Sequence, residues 1–174
     1  MAPPPSSTPK TLHVITLVLK VAMFALLLAS LIVLVTATAT LPVDLFTQLT
    51  VHFDDVYAYR YVVASIIIGL VYALLQIAFS IYHFVKGNPL IIGNGGFIVD
   101  FCGDKVMSYV LATGSAAGFG ATKDLKALAD ARGLDFDDYF DKAYASSSLL
   151  LLAFLCAATL SVFSSYALPK VVTN

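Results

Sequence analysis

The chain of 174 residues has no tryptophan, no glutamate and only two cysteines, and charged residues make up only 12% of it. Two cysteines without a CxxC spacing argue against a disulfide framework and against a zinc site. The three histidines are scattered and show no HExxH spacing. We therefore expect a protein that is not an enzyme, with no cofactor, no bound metal ion and no nucleic-acid partner.

Apolar residues dominate what is present, since 59% of the chain is hydrophobic and the mean hydropathy is +0.88. A helix needs about 20 apolar residues to cross a bilayer. The first apolar run is too long for the core of a signal peptide and contains Lys20. We predict an all-α membrane protein, a four-transmembrane-helix bundle in residues 13–169, with spans at about 14–38, 61–85, 97–121 and 146–168.

The segments outside the spans differ in character. Residues 1–12 are rich in proline and serine, which predicts a disordered tail, and residues 170–174 form a second short tail. The turn KGNPLIIGNGG predicts a tight hairpin between spans two and three. After span three the spacing predicts a helix that stops at Gly133, followed by a helix into span four with aromatic residues on one side: Phe136, Tyr139, Phe140 and Tyr144.

The distribution of charged residues predicts which side of the membrane the two tails face. An even number of spans places both tails on one side, and lysine plus arginine divide equally, five on each side. The acids separate the sides, because the tail side has two Asp and a net charge of +3, whereas the two longer loops hold nine Asp and have a net charge of −4. The anionic cytoplasmic leaflet repels acidic segments. This favours cytoplasmic tails.

Lys20 and Asp104 are ionisable residues within predicted spans one and three. Both spans run in the same direction, and both residues lie about 10 Å inward from the same membrane face at about 1.5 Å per residue. An acid and a base at one depth can offset the cost of a few kcal/mol that each charge has in lipid. We predict that they form an intramembrane charge pair. The alternative is that Lys20 and Lys105 extend to the headgroups and that Asp104 has a water or backbone partner near the interface.

Membrane-embedded acids and bases also occur along ion and proton routes, which leaves a small channel or transporter that uses Lys20 and Asp104 as the alternative function. Gln76, in span two, adds a polar group to such a route. A hydrogen bond between helices is the more frequent role of such an amide.

Small residues recur at helical spacing in three spans. Gly114 and Gly118 form a GxxxG in span three, and span one carries Ala25 and Ala29. Small residues let helix backbones approach closely in lipid, either within one bundle or between subunits. The longest stripe lies in span four, and we predict that it is free to contact a second copy: Ala153, Ala157, Ser161 and Ser165.

Three of these segments resemble one known family. They are LVLKVAMFALLLASLIVL in span one, YAYRYVVASIIIGLVYALLQ at span two and DFCGDKVMSYVLATGSAAGFGAT at span three. Together they resemble the plant CASP-like proteins, relatives of the Casparian strip membrane domain proteins. The family's basic residue in span one is usually Arg and here is Lys20, and its acid in span three matches Asp104.

The resemblance implies a plasma-membrane location, cytoplasmic termini and self-association. It implies a scaffold that forms membrane domains and recruits cell-wall-modifying proteins. The partners it implies are membrane lipids, further copies of the chain and related CASP-like proteins in hetero-oligomers. The first outer loop, LPVDLFTQLTVHFDDVYAYR, does not look like that of the strip-forming members.

Overall fold

The structure is a computed structural model that describes residues 10–44, 47–52, 56–86, 95–134 and 136–172, with side chains for 14–37, 56–82, 101–134 and 136–165. Within these ranges the chain forms four helices: α1 Lys10–Val35, α2 Tyr57–Lys86, α3 Gly95–Ala131 and α4 Asp137–Val172. The connection from α1 to α2 contains an antiparallel hairpin, β1 Thr38–Asp44 and β2 Thr47–His52. Residues 1–9 of the predicted disordered tail and 87–94 of the predicted turn lie outside the described residues.

The helices pack as a ring in which α1 contacts α2 and α4, and α3 contacts the same two helices. The predicted four-helix membrane bundle is therefore confirmed. Among the described residues, three stretches are long and apolar enough to cross a membrane: Val14–Val35, Tyr57–Tyr82 and Asp137–Ser165. The described part of α3 is less apolar, because it contains many small residues and the adjacent charges of Asp104 and Lys105.

Two helices extend well beyond their predicted spans. α3 has 37 residues and α4 has 36. At 1.5 Å per residue each is about 55 Å long, whereas the hydrocarbon core is about 30 Å thick. The segment between predicted spans three and four is thus mostly helical, and the two helices project past the bilayer on the side of the β-hairpin.

The turn between α3 and α4 is a glycine cap. Gly133 has a φ of 69°, a left-handed conformation that suits glycine. Its N–H donates to the Asp130 carbonyl at 3.1 Å, and the Leu134 N–H donates to the Ala129 carbonyl at 3.0 Å. These two bonds satisfy carbonyl groups at the end of α3. The predicted stop at Gly133 is confirmed.

The first turns of α4 bury an aromatic face against α3. Tyr139 and Phe140 are buried, and Phe136 and Tyr144 are half-buried. This confirms the predicted aromatic side of the helix leading into span four. On the outer surface, the Lys126 ammonium of α3 donates to the Asp137 carboxylate at 2.7 Å. Asp137 is in the first turn of α4, where a negative charge is favourable.

Hydroxyl groups tie the helices together in the upper part of the bundle, toward the β-hairpin. The Ser30 hydroxyl of α1 donates to the Ser146 carbonyl of α4 at 2.9 Å, and the Ser146 hydroxyl donates back to the Ser30 carbonyl at 2.9 Å. The Thr122 hydroxyl donates to the Gly118 carbonyl, so the Tyr59 hydroxyl of α2 donates to Thr122 at 2.9 Å. The apolar core includes Met23, Leu27, Leu34, Val62, Ile66, Leu111 and Leu150.

Candidate functional site

A chain of hydrogen bonds crosses the lower part of the bundle and begins at Lys20 of α1. The ammonium donates to the side-chain carbonyl of Gln76 at 2.8 Å and to the hydroxyl of Ser80 at 2.9 Å, both on α2. The Ser80 hydroxyl in turn donates to the backbone carbonyl of Gln76 at 2.7 Å. Lys20 is thereby bound to α2 through two side chains.

The chain continues from α2 to α3 and α4. The Gln76 amide nitrogen donates to the Tyr72 hydroxyl at 2.8 Å, and the Tyr72 hydroxyl donates to Oδ1 of Asp104 at 2.7 Å. The Ser164 hydroxyl of α4 donates to Oδ2 of the same carboxylate at 2.8 Å. Each of the four helices therefore contributes at least one side chain to this polar network.

The network lies inside the bundle, since Asp104 is 4% exposed and Gln76 is 5% exposed. An uncompensated charge at this depth costs a few kcal/mol or more. Here both oxygens of the carboxylate accept hydrogen bonds from hydroxyl groups, at distances of 2.7 and 2.8 Å. The two bonds satisfy both carboxylate oxygens of Asp104 at a depth where lipid provides no hydrogen-bond partner.

Lys20 and Asp104 thus belong to one network, at opposite ends of the path through Gln76 and Tyr72. Their electrostatic coupling stays a prediction. The predicted hydrogen bond between helices at Gln76 is confirmed, because this amide bonds to Lys20 of α1. The Lys105 side chain is exposed, and its ammonium lies 5.3 Å from the centre of the Phe101 ring.

Three residues of the network were not predicted from the sequence: Tyr72, Ser80 and Ser164. Gly103, which packs against Tyr72, was not predicted either. A signal for two of them was present, because Tyr72, Gln76 and Ser80 are four residues apart and form a polar stripe on an otherwise apolar helix. Ser164 is one of many serines in α4, and nothing in its spacing distinguishes it.

Gly103 allows Tyr72 to lie against the backbone of α3. A Cβ atom on Gly103 would be 2.7 Å from the Tyr72 hydroxyl oxygen and 3.0 Å from Cε2 of its ring. Non-bonded carbon atoms normally approach to about 3.5–4.0 Å. A side chain at this position would push the ring away from the carboxylate of the next residue, Asp104.

The glycines of the GxxxG lie inside the bundle. A Cβ on Gly114 would collide with the Ser65 hydroxyl of α2 and lie 3.3 Å from Leu150 of α4. A Cβ on Gly118 would collide with the Ser147 hydroxyl of α4 and lie 3.4 Å from Val62 of α2. Close packing of α3 between its two neighbours therefore requires both glycines.

The span-four stripe is also directed inward for most of its length. Ala153, Ala157 and Ser161 are 0%, 3% and 7% exposed within a single copy, and only Ser165 is exposed. These three residues pack against helices of their own chain. A contact between copies through this stripe stays a prediction, and the burial of the three residues argues against it.

The described residues contain no group of three or more histidine, cysteine or acidic side chains that could hold a metal ion. Cys102 and Cys156 are free thiols. A cavity of about 210 Å³ lies beside the Gly133 turn and is lined mainly by apolar groups, among them Val56, Leu125 and Phe140. What distinguishes the molecule is the polar network in its interior.

The fold and the network define a four-helix membrane protein whose interior charges are held by hydrogen bonds between helices. The Casparian strip membrane protein domain matches residues 9–156. The chain belongs to this family. It is 54% identical to CASP-like protein 4D1 of Ricinus communis over 170 residues, which covers 98% of this chain and 99% of the relative. It is 49% identical to CASP-like protein 4D2 of Arabidopsis thaliana over 178 residues, which covers 98% of this chain and 99% of the relative.

A third relative, CASP-like protein 4D1 of Glycine max, is 47% identical over 167 residues, which covers 96% of this chain and 93% of the relative. No solved structure matches significantly. The predicted resemblance to CASP-like proteins is therefore confirmed, and it extends over nearly the whole chain.

Proposed function

We propose that this protein is a non-enzymatic scaffold of the plant plasma membrane that self-associates into membrane domains and recruits cell-wall-modifying proteins. Membership of the Casparian strip membrane protein domain family supports a role in organising membrane. Further copies of the chain and related CASP-like proteins are the partners we propose within the bilayer.

The observation that carries the proposal is the way the polar network is connected. Its groups bond to each other across all four helices, so they stabilise the bundle. A hydroxyl can pass a proton by accepting one and releasing another. The amide of Gln76 between Lys20 and Tyr72 cannot do so without forming an unfavourable tautomer. This supports a structural role for the network over a proton route.

Reconstitution into liposomes tests this choice. A scaffold gives the same ion and proton flux as a matched double variant, Lys20→Met with Asp104→Asn, which removes both charges. A flux in the unmodified protein that this variant lacks would establish the transporter instead. The double variant is a suitable control because the two substitutions together leave no buried charge without its counterpart.

Self-association requires a separate measurement. We propose that copies meet through lipid-facing surfaces, since three residues of the span-four stripe are buried within one copy. Single-molecule photobleaching of the protein in nanodiscs should show more than one fluorophore per particle, with one label on each copy. Particles that bleach in a single step at every protein-to-lipid ratio would remove the physical basis of a self-associating scaffold.

We also propose that both termini face the cytoplasm, because the two longer loops carry nine Asp residues and the tail side only two. Asp130 is exposed near the end of α3 and is a suitable reporter. In a background without Cys102 and Cys156, Asp130→Cys should react with an impermeant thiol reagent on intact cells, and Ser6→Cys should not. The opposite labelling would reverse the orientation.

A further inference from the structure

The polar network has a fixed direction, which follows from the chemistry of its two ends. A lysine ammonium can only donate hydrogen bonds, and an ionised carboxylate can only accept them. Between Lys20 and Asp104, the Gln76 carbonyl must therefore face the ammonium, and its NH₂ must face Tyr72. The Tyr72 hydroxyl accepts from Gln76 and has its hydrogen left for Asp104.

We propose that Gln76 and Tyr72 are positioning residues that couple the two charges, so that Lys20 and Asp104 act as one unit through this neutral relay. Each bond in such a series polarises the next, which strengthens the series beyond its separate members. Tyr72 is the critical member because it is the donor from α2 to Asp104. This inference is independent of the scaffold proposal, since it concerns charges within a single copy.

Gly103 has a specific part in the relay. It adjoins Asp104 in the chain, and the ring of Tyr72 occupies the space that a side chain at position 103 would need. Gly103→Ala removes no polar group, yet it should move the Tyr72 hydroxyl away from the carboxylate. We therefore expect Gly103→Ala to weaken the coupling in the same way as Tyr72→Phe, which removes the hydroxyl itself.

The first test is a double-mutant cycle for Lys20→Met and Asp104→Asn, measured by reversible unfolding in mixed micelles. In the parent protein the two substitutions should be non-additive by about tenfold in the unfolding equilibrium constant. In a Tyr72→Phe background the coupling should fall below about twofold. If Tyr72 merely added stability, Tyr72→Phe would destabilise all four proteins of the cycle equally and leave the coupling unchanged.

Tyr61→Phe is the matched control. Tyr61 is also on α2, and its hydroxyl bonds to Thr113 of α3 at 2.8 Å, outside the network. The coupling in this background should remain about tenfold. Coupling that persists in the Tyr72→Phe background, or that is lost equally in the Tyr61→Phe background, would overturn the relay. Additive effects in the parent protein would overturn it as well.

A spectroscopic test covers variants that unfold too readily for a complete cycle. The chain has two glutamines, Gln48 and Gln76, so ¹⁵N-glutamine labelling gives two side-chain amide signals and Gln48→Ala assigns them. Asp104→Asn should shift the Gln76 amide signals, because the change is transmitted through Tyr72. The same substitution in a Tyr72→Phe background should leave them in place. A shift of equal size in both backgrounds would contradict the relay.

Discussion

Replacing glycines of α3 by alanine should raise or lower the stability of the bundle, depending on whether a neighbouring helix occupies the space of the new methyl group. Gly114→Ala and Gly118→Ala should destabilise the bundle, because each new methyl group meets a serine hydroxyl of a neighbouring helix. Overpacking of this kind costs about 1–3 kcal/mol. A gain of at most about 1 kcal/mol in helix propensity offsets part of it. With the full offset, we expect a net loss of up to about 2 kcal/mol for each variant.

Gly120→Ala is the internal control on the same helix. A Cβ at position 120 has no neighbour within 4 Å. Only the propensity gain remains, so stability should be unchanged or increase by up to about 1 kcal/mol. Reversible unfolding in mixed micelles, with far-ultraviolet circular dichroism as the readout, measures all three variants under one set of conditions.

Removing the colliding hydroxyl should rescue the substitutions to different degrees. Ser147→Ala leaves its Cβ 3.3 Å from a methyl at position 118, whereas Ser65→Ala leaves its Cβ 3.0 Å from one at position 114. Rescue should therefore be greater for Gly118→Ala than for Gly114→Ala. Equal effects of alanine at positions 114, 118 and 120 would refute the packing argument.

The remaining predictions concern three other contacts. Tyr59→Phe removes the buried bond to Thr122 and should cost about 0.5–1.5 kcal/mol in the same unfolding assay. Ala157→Phe should lower the yield of folded monomer in size-exclusion chromatography, because a residue only 3% exposed has no room for a phenyl ring; a folded variant with altered stoichiometry would contradict this. The hydrogen bond to Asp137 raises the pKa of Lys126 above its ordinary 10.5, so its small stabilisation is complete below pH 10.5 and is lost as the pH rises through the raised value. Lys126→Met should remove that alkaline loss from the pH dependence of unfolding.

Much of the fold follows from one-dimensional patterns. Long apolar runs specify helices in lipid, because the helix is the conformation in which a single segment satisfies its own backbone hydrogen bonds. Gly133 ends α3 because glycine readily adopts the left-handed conformation that the cap requires. The aromatic residues after it have the spacing of one helix face, and the structure buries two of them, Tyr139 and Phe140.

The members of the polar network were harder to predict, because they depend on how the helices are rotated about their axes. Equal depth suggested that Lys20 and Asp104 are related, but depth contains no information about which side chains lie between them. Tyr72 reaches Asp104 only because Gly103 leaves space for its ring. Ser164 belongs to the network because it lies on the side of α4 that faces α3, where its hydroxyl donates to Asp104.

The hairpin of β1 and β2 was not predicted. Its two strands pair in antiparallel fashion, with Thr38 opposite His52 and Leu41 opposite Leu49. Strands are indicated by alternation of polar and apolar residues and by turn residues, and not by continuous apolar runs. Apolar runs, which identified the helices, are therefore uninformative about this connection.

The contact between α1 and α4 closes the ring of helices and brings the beginning of α1 beside the end of α4. Fluorescent proteins fused to the two ends would therefore exchange energy within a single molecule, whether or not a second molecule is nearby. The same proximity would let a split reporter reassemble on one chain. Assays of assembly in living cells need the two halves of the reporter on separate copies at the same end, with a coexpressed unrelated membrane protein as the baseline.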